Sequence, residues 1–152
     1  GGVDGDRRAV QVEQEADPSL AGLAFASLKG KLKLPIKGEL VSRFGAAREG
    51  FSSKGIYIRT GAGQPVRVVA DGRVVFVDWM RGLGNFMVVD HGSAYLSIYG
   101  NVESVLKQVG DPVKSGDSVA MAGDSGGAGE SGVYFELRHQ GQPFDPMKWV
   151  KR

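Results

Sequence analysis

The chain has no cysteine. Disulfide staples, thiolate metal centres and cysteine nucleophiles are therefore excluded, although the compartment is not fixed by that absence. Histidine is scarce as well: His91 and His139 are the only two, and they do not form a short ligand pair such as HxH or HExxH. No apolar run approaches the ~18 residues of a membrane span. No secretory leader is visible, and the start at Gly1-Gly2 without Met reads as an excised fragment, which leaves room for a targeting segment upstream. The glycine-rich segments lack the Gly-Lys-Ser/Thr ending of a phosphate loop. Charge of one sign is also in short supply. The formal net charge is +2, too weak to imply nucleic acid without a clustered patch.

What the chain does have is glycine, 24 in 152 residues, scattered through apolar runs. With 41% apolar residues there is enough for one domain with a real core. Frequent tight turns between β-branched and aromatic runs predict a mainly β, antiparallel fold with few short helices. Residues 1–18 are polar and aperiodic, with two bases (Arg7, Arg8) against five acids (Asp4, Asp6, Glu13, Glu15, Asp17), and read as a loose linker. Residues 19–33 read as a short helix or connector, with Ser19 as N-cap and Leu20, Leu23, Ala24 and Leu28 as an apolar stripe edged by Phe25. The domain proper is expected over 34–152. Strands are predicted over 39–44, 56–60, 66–70, 73–79, 85–90, 95–99, 119–122 and 132–138. Asp71-Gly72 between two apolar runs predicts a hairpin. Residues 101–108 read as a short, helical connection, 123–130 as a flexible glycine-rich loop, and the residues after Arg138 as a tail.

The stretch Gly132-Val-Tyr-Phe-Glu-Leu-Arg138 carries the clearest pattern. Period-2 alternation puts Val133, Phe135 and Leu137 on a core face and Tyr134, Glu136 and Arg138 on the other. That second face is either a working surface or a solvated sheet face. Two constellations point to enzymes and find little support. Gly123-Asp-Ser-Gly-Gly127 matches GxSxG, but the following glycines oppose the helix that a nucleophile elbow at Ser125 requires. His91, at a strand end, reads as structural, and His139 as an exposed turn residue.

From about Leu34 to Val150 the chain resembles the LytM domain of the M23 zinc metallopeptidases. Gly63-Gln-Pro-Val66, Ala70-Asp-Gly-Arg-Val74, Gly82-Leu-Gly-Asn85, His91-Gly92 and Phe135-Glu136 follow that family's order. The resemblance implies a lysostaphin-like antiparallel sheet with a central groove. It also implies a lost active site. Ser53 stands where the first zinc His belongs and Tyr57 where the Asp ligand does. Asn101 replaces the catalytic His, and Gly132-Val-Tyr134 replaces the final His-x-His. No cofactor or metal is then expected.

Within the family, Ala70-Asp-Gly-Arg-Val-Val-Phe-Val-Asp-Trp79, Leu96-Ser-Ile-Tyr-Gly100 and Tyr134-Phe-Glu-Leu-Arg138 are similar to the EnvC-type murein hydrolase activators. The implied role is non-catalytic. A periplasmic, Gram-negative domain would bind the regulatory region of a zinc-dependent N-acetylmuramoyl-L-alanine amidase and promote septal peptidoglycan cleavage. The implied partner groove contains Lys54, Tyr57, Leu83, Tyr134 and Arg138. Two other readings stay open: a peptidoglycan-binding targeting module, and a surviving hydrolase built on His91, His139 and carboxylates.

Overall fold

The structure, a computed structural model, describes residues 22–152. The linker expected over 1–18 and the N-cap expected at Ser19 lie outside the described residues. Ten strands follow one another: β1 (Glu39–Ser42), β2 (Ile56–Arg59), β3 (Pro65–Arg67), β4 (Gly72–Met80), β5 (Gly84–Asp90), β6 (Tyr95–Val105), β7 (Pro112–Val113), β8 (Ser118–Ala122), β9 (Gly132–His139) and β10 (Gln142–Phe144). Every strand pairing is antiparallel. The main sheet runs β1-β2-β9-β6-β5-β4-β7, with β10 on β9, and β8 linking β3 to β6. Among the described residues the helical content is two 3-10 turns, Phe25–Leu28 and Pro146–Lys148. The mainly β, antiparallel expectation therefore holds.

The alternation of β9 explains the architecture. Val133, Phe135 and Leu137 are at most 1% exposed and join Ile56 and Ile58 of β2 and Met87 and Val89 of β5 in the core. The β3–β8 arm closes over that face with Val66, Val119 and Ala120. Phe25, Leu28, Leu32 and Trp149 complete it. The opposite face of the same sheet is left for the groove.

Three expectations need correction. Asp71-Gly72 is not a hairpin turn: β3 pairs with β8, while β4 pairs with β5 and β7. A two-residue type I′ turn needs positive φ at both central residues, and neither Asp71 nor Gly72 has it. Asp71 is occupied instead, its carboxylate accepting from the backbone N–H of Ser115 and of Gly22. Residues 101–105, expected to begin a helical connection, continue β6 as far as Val105. The strand turns at Asn101 (φ 60°) and pairs its second half with β8, which buries Val102. The apolar stripe from Leu20 to Leu28 gives only a four-residue 3-10 turn in its described part. There Phe25 and Leu28 are buried and Leu23 is 43% exposed, because Gly22 and Gly30 both take positive φ and frame a segment too short for a helix.

The glycine-rich loop 123–130 is built rather than slack. The Asp124 carboxylate accepts from the backbone N–H groups of Ala128 and Gly129. Ser125 Oγ donates to the Val102 carbonyl at 2.6 Å and accepts from the Asn85 N–H at 2.9 Å. Its hydroxyl holds the loop to β5 and β6, and no histidine is among its hydrogen-bond partners.

Candidate functional site: an aromatic groove over β2, β9 and β6

Strand register brings the two tyrosines together. Tyr57 and Tyr134 are direct partners across β2 and β9. In antiparallel strands, directly opposed residues share a face, so both rings enter the same cleft. Gly55 makes the approach possible: a Cβ there would lie 2.7 Å from the Tyr134 hydroxyl and 2.4 Å from the Phe135 carbonyl. The cleft has a volume of about 360 Å³, and Lys54, Tyr57, Leu83, Tyr134 and Arg138 all line it. Asn101 lines it too. Ser53 and Gly132 do not. Ser53 turns its carbonyl to the N–H of Gly45. Gly132 is a close-approach position, where a Cβ would sit 2.2 Å from the Ile58 carbonyl.

The polar groups of Tyr57, Asn101, Tyr134, Glu136 and Arg138 are each committed to a neighbour. Asn101 Nδ2 donates to the Tyr57 hydroxyl at 2.7 Å and to Asp124 Oδ1 at 3.1 Å, while its Oδ1 accepts from the Gly126 N–H at 2.6 Å. The Tyr57 hydroxyl donates to the Glu130 carbonyl. Burial, reinforced by the negative charges of Asp124 and Glu130, pushes the Tyr57 phenol up to about 12 against the opposing effect of the Asn101 bond. Tyr134 donates to Glu136 Oε1 at 2.5 Å, and the Arg138 Nε donates to Glu136 Oε2. Burial first, and the bond to Glu136 second, push the Tyr134 phenol well above its ordinary value. Both phenols therefore stay protonated near neutral pH.

Glu136 is the residue that sequence reasoning missed. It is 4% exposed and is the centre on which Tyr134 and Arg138 converge. Its place on the polar face was legible, but its burial was not. Arg138 therefore brings no unbalanced charge to the cleft. The apolar lining from Phe51, Met80, Phe86 and Ile98 was missed as well. The available sign was the run of large apolar residues on β4, where Phe76 and Met80 are 48% and 54% exposed and only Val74 is buried.

Leu83 owes its position to Gly100. Gly100 pairs with Tyr134, and a Cβ on it would lie 2.4 Å from Leu83 Cδ1. The bare backbone leaves room for Leu83 beside Tyr134, and the Leu83 carbonyl accepts from the Asn101 N–H at 2.6 Å. Gly100→Ala should move Leu83 rather than the strand, because the nearest atom is the end of a flexible side chain. The expected loss is about 1 kcal/mol of stability, with the Leu83 methyl resonances shifted in NMR and those of Val102 nearly unchanged.

The match to known proteins agrees with this geometry. Residues 51–146, which include both tyrosines and all of β2 to β10, match the model of peptidase family M23. The chain belongs to that family. It is 39% identical over 125 residues to the murein hydrolase activator EnvC of Escherichia coli, covering 82% of this chain and 30% of that protein. The murein hydrolase activator NlpD of the same organism is 33% identical over 117 residues, covering 76% of this chain and 30% of that protein. The chain thus spans about a third of the length of these relatives. Among solved structures, the catalytic domain of the M23 protein EnpA from Enterococcus faecalis superposes with a TM-score of 0.66 at 27% identity. It covers 75% of this chain and 95% of that one.

Zinc does not fit what converges in the cleft. A catalytic zinc site takes three donors from His, Asp, Glu or Cys and keeps a position open for water. Here the converging groups are two protonated phenols, a carboxamide and one carboxylate already shared between Tyr134 and Arg138. Among the described residues, no three His, Cys, Asp or Glu side chains are grouped to hold a metal. His91 is tied up by Asp71 and Ser97, and the His139 ring stacks on Tyr95 at 4.0 Å.

Proposed function

We propose that this domain is a non-catalytic activator of a periplasmic N-acetylmuramoyl-L-alanine amidase. It takes part of the amidase's regulatory segment into the groove and so promotes septal peptidoglycan cleavage. The observation that carries the reading is the Tyr57–Tyr134 pair, braced by Asn101 and Glu136, at the place where the family resemblance puts zinc ligands. The positions of Ser53, Tyr57, Asn101, Gly132 and Tyr134 are then those of a lost metal centre. Two relatives named murein hydrolase activators support the activating role.

The groove has the chemistry of a peptide cleft. An apolar floor of Phe51, Leu83, Phe86 and Ile98 suits one face of an amphipathic helix. Tyr134 supplies a rigid aromatic wall, and Arg138, 32% exposed in its side chain, supplies directed donors at the rim. Lys54 and Arg81 add positive charge at the edges.

The decisive experiment is dye release from labelled peptidoglycan by the domain alone, by a periplasmic amidase alone, and by both. Release only from the mixture is the expected result. Release by the domain alone would overturn the non-catalytic reading. In a direct binding assay, Tyr134→Ala should weaken the amidase complex by about 2 kcal/mol while the far-UV spectrum stays that of the parent. Equal affinity would remove the groove from the recognition surface.

A further inference from the structure

The sheet face that floors the groove continues beyond it. Register carries that face outward from β9: Glu136 is opposite Ile98, Ile98 opposite Val88, and Val88 opposite Phe76. Directly opposed residues share a face, so Phe76 stands on the groove face although it does not line the cleft itself. Alternation along β4 adds Asp78 and Met80 to that face. Phe86, opposite Asp78, joins the two regions. It is 5% exposed, lines the cleft, and has its ring 5.6 Å from that of Phe76. Met80 lines the cleft as well. Ile98, Phe86, Val88, Phe76 and Met80 thus form an apolar shelf continuous with the groove, with its outer rim, Phe76 and Met80, half in solvent.

An exposed rim that adjoins an apolar cleft calls for a partner, where a lone exposed side chain does not. Its surroundings set the form of that partner. Among the described residues, β7 pairs with β4 only at Gly72 and Arg73, so the outer side of β4 is an open edge near Phe76 and Met80. The edge is guarded against another strand. Asn85, opposite Trp79, gives its N–H to Ser125, so Trp79 turns its own N–H outward, where the Asp78 carboxylate takes it at 2.7 Å. An added strand would have to displace that bond. A helix needs no edge. Strands lie ~4.8 Å apart, close to the ~5.4 Å pitch of an α-helix, so a helix laid across β9, β6, β5 and β4 sets about one apolar residue over each strand with each turn. The four strands span ~14 Å, which takes about ten helical residues. The cleft alone, at about 360 Å³, is at the small end of the range for pockets that enclose even a drug-sized molecule. A helix held there only would leave most of its apolar face in water.

We propose that the partner helix runs past the cleft over β5 and β4, and that Phe76 and Met80 form its outer anchoring site. The identity of the helix as an amidase regulatory segment rests on the proposed function. The test is fluorescence anisotropy of a labelled peptide copied from the whole regulatory segment of the partner amidase, titrated with the full chain. Phe76→Ser/Met80→Ser should weaken binding at least tenfold, and Phe76→Leu/Met80→Leu by less than threefold. Leu106→Ser, equally exposed but on the β8 side of the domain, should bind as wild type does. Peptides shortened by two turns from one end or the other locate the contact: once the end over β4 is removed, wild type and the double Ser variant should bind equally. Weaker binding by Tyr134→Ala with no loss in the double Ser variant would overturn the shelf and keep the groove. No binding of the segment by wild type would overturn both. Tighter binding by the double Ser variant would overturn the shelf as a partner site, because this chain itself would then be covering it, and so would a Phe76-dependent dimer in sedimentation equilibrium.

Discussion

Glu136→Ala should destabilise the domain by about 3 kcal/mol, because removing one partner of a buried ion pair strands the other. The carboxylate is 4% exposed and serves two donors, the Tyr134 hydroxyl and the Arg138 Nε. Alanine leaves a buried phenol without an acceptor and a guanidinium only a third exposed without its counter-charge. Solvent reaches part of Arg138, which keeps the cost below that of a fully buried pair. Glu136→Gln keeps an oxygen for Tyr134 and should cost about half as much. Urea unfolding provides the measurement: the midpoint should fall with the slope unchanged. A loss under about 1 kcal/mol for the alanine variant would mean that water already satisfies the pair.

The same pair separates folding from recognition. Glu136→Leu/Arg138→Met replaces a buried ion pair by apolar side chains of similar size, a change that is often neutral or stabilising. That double variant should recover the part of the stability that Glu136→Ala loses by stranding the guanidinium, though not the part owed to the Tyr134 hydroxyl, which still lacks its acceptor, while remaining poor at binding an amidase. Parallel losses of stability and binding in every variant would instead assign the pair to the fold alone.

How much of this was legible in the sequence depends on which physical constraint was local. Alternation in β9 gave the correct sides for all six residues from Val133 to Arg138, because a strand's two faces are fixed by its own period. It did not show that the second face is also largely closed. Leu83, seated at Gly100 opposite Tyr134, and Ser52, hydrogen-bonded to Tyr134, both come from segments far from β9 in the chain. The Asp71-Gly72 hairpin failed for a related reason. The dipeptide has turn chemistry, but Asp71 is pulled into contacts 44 and 49 residues away, and the chain passes between layers there. Asn101 was singled out by resemblance to a catalytic position. Its positive φ and its four-way bonding, which bend β6 and join it to the glycine-rich loop, are set by tertiary contacts that no local pattern records.

A pH series should show a second large effect, arising at His91, a partly buried ring beside the core. The ring lies 4.7 Å from that of Phe25, with Nδ1 2.7 Å from the Asp71 carbonyl and Nε2 2.7 Å from Ser97 Oγ. A carbonyl only accepts, so Nδ1 carries the proton. In the neutral ring Nε2 then accepts from Ser97, whose hydroxyl is in turn 2.8 Å from that of Tyr99. Tyr99 is fully buried and accepts from the Val69 N–H at 3.1 Å, and burial raises its phenol far above the ordinary value. The chain of bonds is neutral, and a second proton on the imidazole would place a charge in poorly solvated surroundings. Desolvation lowers the His91 pKa from 6.5 to about 4, outweighing the Asp71 carbonyl and the charges of Asp90 and Asp71.

The unfolded chain therefore binds the proton first. Stability from this group is complete above the unfolded value and is lost as pH falls from about 6.5 to 4, by roughly 2 to 3 kcal/mol in total. Urea midpoints at pH 7, 5 and 4 measure the slope. His91→Gln should be less stable than wild type at pH 7 yet lack the fall between 6.5 and 4, so the two curves should converge in acid. Parallel curves would place the acid lability in other groups. Convergence would mean that neutral His91 joins β5 to the Phe25–Leu28 turn and to Tyr99 beneath the groove sheet, a scaffold intact near neutral pH and weakened in acid.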